Sequence, residues 1–219
     1  KHIQERFSII RKGDVVLDIG CHPGGWTQVA SEEVGGDGIV IGVDLLATAP
    51  VDGATVIIGD ITDDATIQQV REALDGRGIN TVISDISPSL TGRYDTDQAI
   101  SLELSTTVLD VAMDVLQPGG TFITKAFQGV GIEGLVEAAR DRFSNVQRFA
   151  PTASRNSSSE TYLICRNKLP RVRKRGFGQT AMEQVSRHLE GLGVLTEKQE
   201  GVDEERAVGL RRISRKEEE

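Results

Sequence analysis

The 219 residues include only two cysteines, Cys21 and Cys165, too few for the disulfide framework of a small secreted domain. A reducing, cytoplasmic setting is the expectation. No apolar run approaches the roughly 18 residues that a membrane span requires, and the opening stretch KHIQERFSIIRKGD lacks the hydrophobic core of a signal peptide. The protein is expected to be soluble and monomeric. Three histidines and two cysteines show no metal-ligand spacing, so no metal is expected. Cys21 has no His and Asn/Asp partner set that would make it a nucleophile, and His22 beside it reads as a loop residue. The sequence opens on Lys1 rather than a methionine, and further residues are expected upstream.

The net charge of −8 argues at first against a nucleic-acid partner, but it is unevenly spread. Residues 1–165 carry 12 Lys/Arg against 23 Asp/Glu, a net −11, whereas residues 166–219 carry 13 against 10, a net +3. The segment RNKLPRVRKR (166–175) has six basic residues in ten, dense enough to contact a phosphate backbone. A solvated basic linker would look the same.

Short β-branched runs alternate with longer amphipathic stretches, and there is no internal repeat. VVLDIG (15–20), GIVIGVD (38–44), TVIIGD (55–60), INTVISD (79–85) and GTFITK (120–125) read as buried strands. Residues 24–34, 64–75, 97–116 and 131–142 read as helices, and QPGG (117–120) breaks the long 97–116 helix before the fifth strand. Such alternation predicts a doubly wound, Rossmann-like α/β fold with a mostly parallel sheet. NVQRFA (145–150) and ETYLICR (160–166) add two strands joined by a loop too short for a crossover helix, so the last two should pair antiparallel. Seven strands are expected in all. Residues 1–166 form the expected catalytic domain, and residues 167–219 a basic linker, a short helix and a charged, flexible tail. In AMEQVSRHLEGLG (181–193), Met182, Val185, Leu189 and Leu192 fall at helical spacing and are expected to dock on the core. EGVDEER and SRKEEE read as disordered.

Ligands of a doubly wound sheet bind beyond the carboxyl ends of its strands, and here the strands end in Asp18, Asp44, Asp60, Asp85 and Lys125. An antiparallel last strand delivers its first residue, Glu160, to the same edge. Acids after strands are often helix caps, and Asp63, Asp64 and Asp97 are read that way; five consecutive ionisable strand ends point instead to a cleft. In the loop DIGCHPGGW (18–26), Gly20, Gly24 and Gly25 lack the G-x-G-x-x-G spacing that cradles a dinucleotide pyrophosphate, while Pro23 suits the first turn of the helix. Asp44 fits a ribose diol, and the Asp60–Ile61 turn could flank an adenine. A nucleoside without phosphates is the expected ligand.

Taken in order, DIGCHPGGWTQVA, VISDISPSLTG, TKAFQG and SSSETYLIC resemble the FtsJ/RrmJ-type ribosomal RNA 2′-O-methyltransferases over about residues 1–166. The resemblance implies a class I methyltransferase fold and S-adenosyl-L-methionine as cofactor. It implies cofactor contacts from the loop of Gly20, Gly24 and Trp26 and from Asp44, Asp60 and Asp85. It also implies a Lys-Asp-Lys-Glu tetrad whose last three members are Asp85, Lys125 and Glu160. The first lysine, in a motif like YKL or FKL, falls two positions before Lys1 when aligned this way. Large-subunit ribosomal RNA, at a uridine, is the implied substrate, with transfer RNA as the alternative.

The residue types suit that chemistry. A ribose 2′-hydroxyl is a poor nucleophile until its proton is being removed, whereas a sulfonium methyl mainly needs in-line placement. Lys125 is expected to be the base and the carboxylates to orient it; nearby cations favour a neutral lysine and nearby carboxylates oppose it. Trp26 is expected to pack under the ligand, and Arg155, Asn156 and Ser157–Ser159 either contact the ribose-phosphate chain or form a solvent-facing connector. Two rival functions, an NAD-type oxidoreductase and a non-catalytic RNA-binding module, are disfavoured respectively by the glycine spacing and by the Asp85/Lys125/Glu160 set.

Overall fold

Strand β1 (Val15–Ile19) is buried along its whole length, because sheet neighbours flank it and helices cover both its faces. A computed structural model describes residues 1–150 and 160–195. In chain order the elements are α1 (His2–Phe7), β1, α2 (Gly25–Val34), β2 (Ile39–Asp44), β3 (Ala54–Ile58), α3 (Asp64–Ala73), β4 (Ile79–Ser84) and α4 (Tyr94–Val115). β5 (Leu116–Phe127), α5 (Ile132–Arg142), β6 (Phe143–Phe149), β7 (Glu160–Lys168) and α6 (Ala181–Gly191) follow. The sheet order is β3-β2-β1-β4-β5-β7-β6. β1 to β5 run parallel, and β7 is inserted antiparallel between β5 and β6.

The period of two in the strands divides the apolar residues between two layers. Val15, Leu17 and Ile19 face a core built with α3, α4 and α5, whereas Val16, Val40, Ile83, Ile123 and Ile164 face α1 and α2. Central parallel strands covered on both faces are apolar throughout, which is why these runs are legible as strands.

The expected architecture of seven strands with an antiparallel last one is what the structure has. Its details differ in four places. QPGG does end α4, but it continues as the exposed start of β5, with a register irregularity against β4 between Ile79 and Thr81. Helix α4 starts at Tyr94, so Asp97 lies inside its first turns instead of capping it. Pro23 precedes the Gly24 cap of α2 and is not part of the helix. α1 was not foreseen as an element of the fold.

The docking of residues 181–193 holds for part of the apolar set. Ala181 and Val185 are buried and Leu189 packs against the core, while Leu192 is exposed. A capping box starts α6: the Thr180 hydroxyl accepts from the Glu183 amide at 3.1 Å, and the Thr180 amide donates to Glu183 Oε2 at 2.9 Å. Asp110 of α4 accepts from the amides of Ala181 and Met182 at 2.6 and 3.0 Å. Arg142, almost fully buried, donates to the carbonyls of Ala138 and Gln179 and to Gln184 Oε1. The basic segment follows β7, so Arg171, Arg173 and Lys174 are exposed at the sheet edge opposite Glu160. Residues 151–159 and 196–219, including Arg155, Asn156, Ser157–Ser159 and the two charged runs, lie outside the described residues.

Replacing Asp110 by Ala removes the acceptor for two amides at the α6 start. We expect a loss of about 1–2 kcal/mol in urea unfolding and earlier proteolytic cleavage within 177–195. An unchanged midpoint would mean that the Thr180–Glu183 box suffices.

Candidate active site

The pairing of β5 with β7 decides which side chains meet. Lys125 lies opposite Tyr162 and Phe127 opposite Glu160. Directly paired residues share a face, and so do residues two apart on one strand. Lys125, Tyr162 and Glu160 therefore emerge on one side of the sheet, toward α2. Asp85 is the first residue after the neighbouring β4. Its Oδ1 lies 3.1 Å from Lys125 Nζ and accepts from the Tyr162 hydroxyl at 3.0 Å. Lys125 Nζ also donates to the Asp85 main-chain carbonyl at 3.1 Å, and Glu160 Oε1 lies 4.0 Å from it. Lys125 is only 7% exposed.

Tyr162 was not anticipated. Its signal was available, since Glu160 and Tyr162 are two apart in a strand and must share a face. Burial, reinforced by the Asp85 carboxylate, holds its hydroxyl well above the usual ionisation range, which keeps it a proton donor to Asp85. Its ring lies 5.9 Å from that of Trp26, tilted by 36°. Trp26 is half-buried in the second position of α2.

The glycine loop stands beside this group. Gly20 has φ +79°, and a Cβ there would sit 2.3 Å from Ile86 Cγ1, so the loops after β1 and β4 can approach this closely only with glycine. Gly24, with φ +113°, caps α2 without any side-chain cap bond, and no acidic residue lies in the first turn. The first amides of α2 are thus available to an anionic group. Asp44 ends β2 and accepts from the amides of His22 and Leu46 at 2.9 and 2.8 Å, which holds the two loops around it. Asp60 lies two residues beyond β3, its Oδ1 accepting from the Thr62 amide and hydroxyl at 2.9 and 2.7 Å.

Asp18 departs from the expected row of strand-end acids. It is the fourth of five residues of β1 and is fully buried. Its Oδ2 accepts from the Thr27 hydroxyl at 2.7 Å, and Oδ1 has no partner. Its side chain belongs to the floor under α2 and is not presented at the edge. Asp97, expected as a cap, instead accepts from the Thr91 amide and hydroxyl and the Gly92 amide, and these bonds hold its carboxyl below the usual range. Among the described residues no cluster of His, Cys, Asp and Glu could hold a metal ion, and no helix is long and apolar enough to cross a membrane.

Residues 1–168 match the model of the FtsJ-like methyltransferases. The chain belongs to that family. Relatives named Ribosomal RNA large subunit methyltransferase E include one from Halorubrum lacusprofundi, 44% identical over 168 residues, covering 76% of this chain and 62% of that protein. Another, from Methanothrix thermoacetophila, is 41% identical over 196 residues, covering 89% and 76% respectively, and one from Pseudomonas fluorescens is 40% identical over 162 residues, covering 74% and 78%. The chain thus spans under two thirds of the Halorubrum protein's length. A solved structure from Plasmodium falciparum, provisionally assigned as a ribosomal RNA methyltransferase, matches with a TM-score of 0.69 at 26% identity, covering 78% of this chain and 94% of that one. A SAM-dependent O-methyltransferase from Thermotoga maritima shares the fold at a TM-score of 0.53 and 16% identity, over 79% and 65% of the two chains. The family and the fold expected from the four motifs are both borne out.

Burial raises Asp18 from 3.8 to about 7, with the Asp85 and Asp44 charges adding to the effect and the Thr27 hydroxyl opposing it. Between those values the folded protein holds a proton that the unfolded chain has released, so stability falls as pH rises from about 4 to 7 and levels off above. The loss approaches at most about 4 kcal/mol. Urea midpoints for Asp18→Asn, measured without added ligand between pH 5 and 8, should show a flatter pH dependence and exceed the wild type at pH 8. Parallel curves would show that Asp18 ionises normally.

Proposed function

We propose that the protein transfers a methyl group from S-adenosylmethionine to a ribose 2′-hydroxyl of RNA, with a uridine of large-subunit ribosomal RNA as the first substrate to test. One observation carries this reading: a carboxylate, Asp85, held between a buried lysine and a tyrosine hydroxyl, with Glu160 on the same edge and a glycine loop beside it. The names of the relatives support the choice of RNA.

The donor set fits the cofactor. Open amides at the α2 start suit its carboxylate, and Asp44 suits its ribose hydroxyls, because a charged acceptor makes the stronger hydrogen bond. Asp60 and Ile61 would flank the adenine, and Gly20 and Gly24 would admit the ligand close to the main chain. When bound, S-adenosylmethionine supplies an electrophilic methyl on a sulfonium. The chain's own residues then have to place and deprotonate the hydroxyl. Lys125 is the proposed base, since its nitrogen lies at the centre of the group. Asp85 fixes that nitrogen, and Tyr162 fixes Asp85. Glu160, at 4.0 Å and more exposed than Lys125, is placed to accept a hydrogen bond from the incoming ribose. Most of the rate gain in such a site comes from orientation and a positioned base.

Two variants separate binding from chemistry. Asp44→Ala should weaken cofactor binding by on the order of 1.5–3 kcal/mol, whereas Lys125→Ala should bind it nearly as the wild type does and transfer no methyl group. Calorimetry and single-turnover methylation decide, and equal binding losses in both variants would refute the division of roles.

The basic segment is tested separately. β7 carries the chain roughly 25 Å from Glu160 to Lys168 at about 3.3 Å per residue, so phosphates contacted there are distant from the target ribose. Replacing Arg171, Arg173, Lys174 and Arg175 by Gln should lower RNA affinity and reduce the salt slope by roughly 0.7–0.9 log units per lost contact. An unchanged slope would make the segment a solvated linker.

A further inference from the structure

One face of the first two turns of α4 is polar where an apolar stripe would be expected. Tyr94, Asp97, Gln98 and Ser101 fall at i, i+3, i+4 and i+7, one helical face, and each binds a loop at the catalytic edge. Asp97 holds Thr91 and Gly92 of the loop after β4. The other three hold the chain leaving β5: Ser101 Oγ accepts from the Phe127 amide at 3.0 Å, the Tyr94 hydroxyl donates to the Gln128 carbonyl at 2.6 Å, and Gln98 Nε2 donates to the Val130 carbonyl at 2.8 Å. Gln98 lies so close to Gly129 that a Cβ there would be 2.6 Å from its Cγ. The two loops flanking Asp85 and Lys125 are thereby stapled together from one helix.

Three apolar side chains on these stapled segments stay in the open. Leu90 is 70% exposed, Tyr94 54% and Val130 53%, although they sit on segments tied down by these hydrogen bonds. Tyr94 is the notable member, because its hydroxyl is bound while much of its ring faces solvent. A ring already fixed at both ends loses little conformational freedom when something stacks on it. The tether point, Gln128, is one residue past the position opposite Glu160, so the ring is anchored at the same edge of the sheet as Glu160. Arg93, also exposed, precedes it. An exposed aromatic ring with a basic residue next to it in the chain offers the two groups that hold an unpaired base and its phosphate.

We propose that Tyr94, flanked by Leu90 and Val130, is a stacking platform for an unpaired RNA base next to the target ribose. The proposal rests on the RNA-methyltransferase reading and adds to it a binding surface and a demand on the substrate: the nucleotide beside the target must be out of its helix. Leu90 and Val130 would border the base, and the Gln128 tether would keep the ring from turning away.

The test uses the full chain, unmodified large-subunit ribosomal RNA transcribed in vitro and S-adenosylmethionine with a labelled methyl group. Tyr94→Ala should weaken RNA binding about 5- to 150-fold, raising KM for RNA while leaving cofactor affinity and salt slope unchanged. Tyr94→Phe, which keeps the ring, should retain most of the affinity. Photocrosslinking of wild-type protein to transcripts carrying 5-iodouridine should label the peptide containing Tyr94, which decides the matter even if the Ala variant folds poorly. An Ala variant with wild-type affinity, equal losses in Ala and Phe, or crosslinks confined to other peptides would each overturn the platform. Wild-type protein that neither binds nor methylates the RNA would overturn the functional reading as well; normal wild-type methylation with an indifferent Ala variant overturns the platform alone.

Discussion

The antiparallel insertion of β7 between β5 and β6 is the constraint on which the site depends. A seventh strand running parallel to the rest would deliver its carboxyl end to the edge of the candidate site and leave Glu160 at the far one. Reversed, it brings its first residue to that edge and lays Tyr162 opposite Lys125. Register then does the remaining work. A slip of one residue would turn Glu160 and Tyr162 to the opposite face, and Asp85 would lose its tyrosine partner. The reversal also places the basic segment away from the candidate site, since the chain leaving β7 must emerge at the opposite edge.

Charge burial sets a second condition. Lys125 is nearly buried, and an isolated ammonium there would be expensive, so the Asp85 carboxylate and main-chain carbonyl compensate it. Tyr162 adds a fixed donor to the same Oδ1. The groups have consequently to be considered together: removing Asp85 would leave the nearly buried Lys125 ammonium without its charged partner, and a buried charge is costlier to strip of its partner than a pair is to replace. Asp18 shows the other solution. With one hydroxyl donor and, among the described residues, no cation beside it, its carboxyl holds its proton to about pH 7.

Strands and their order of appearance were legible because sheet residues covered on both faces are apolar in long runs. Asp18 was misplaced for the same reason: in such a run an acid at the fourth of five positions looks like a strand end unless the register to β2 and β4 is known. Asp97 looked like a cap because the helix was expected to start there, whereas α4 starts three residues earlier at Tyr94. Lys125, Asp85 and Glu160 could be named from their motifs, but the distances among them arise from three strands far apart in sequence. Tyr162 could have been found by alternation within β7 alone. The contacts of α4 with the β5 exit could not, since they depend on where a 22-residue helix crosses the sheet.

On the proposed reading, an acidic chain that acts on RNA must offset long-range repulsion with local contacts. Residues 1–165 carry a net −11, and part of that charge lies at the catalytic edge as Asp44, Asp60, Asp85 and Glu160. S-adenosylmethionine, net positive because its sulfonium and ammonium outweigh its carboxylate, would on that reading neutralise some of it and ease the approach of RNA to the same edge. Whatever repulsion persists is screened beyond about 8 Å at physiological ionic strength. Contacts that do not depend on net charge, such as stacking on an exposed ring, lose little in this setting, whereas phosphate contacts work best where the local charge is positive. The fold separates the two kinds of surface accordingly: an aromatic and apolar rim beside the acids, and a basic run at the opposite edge.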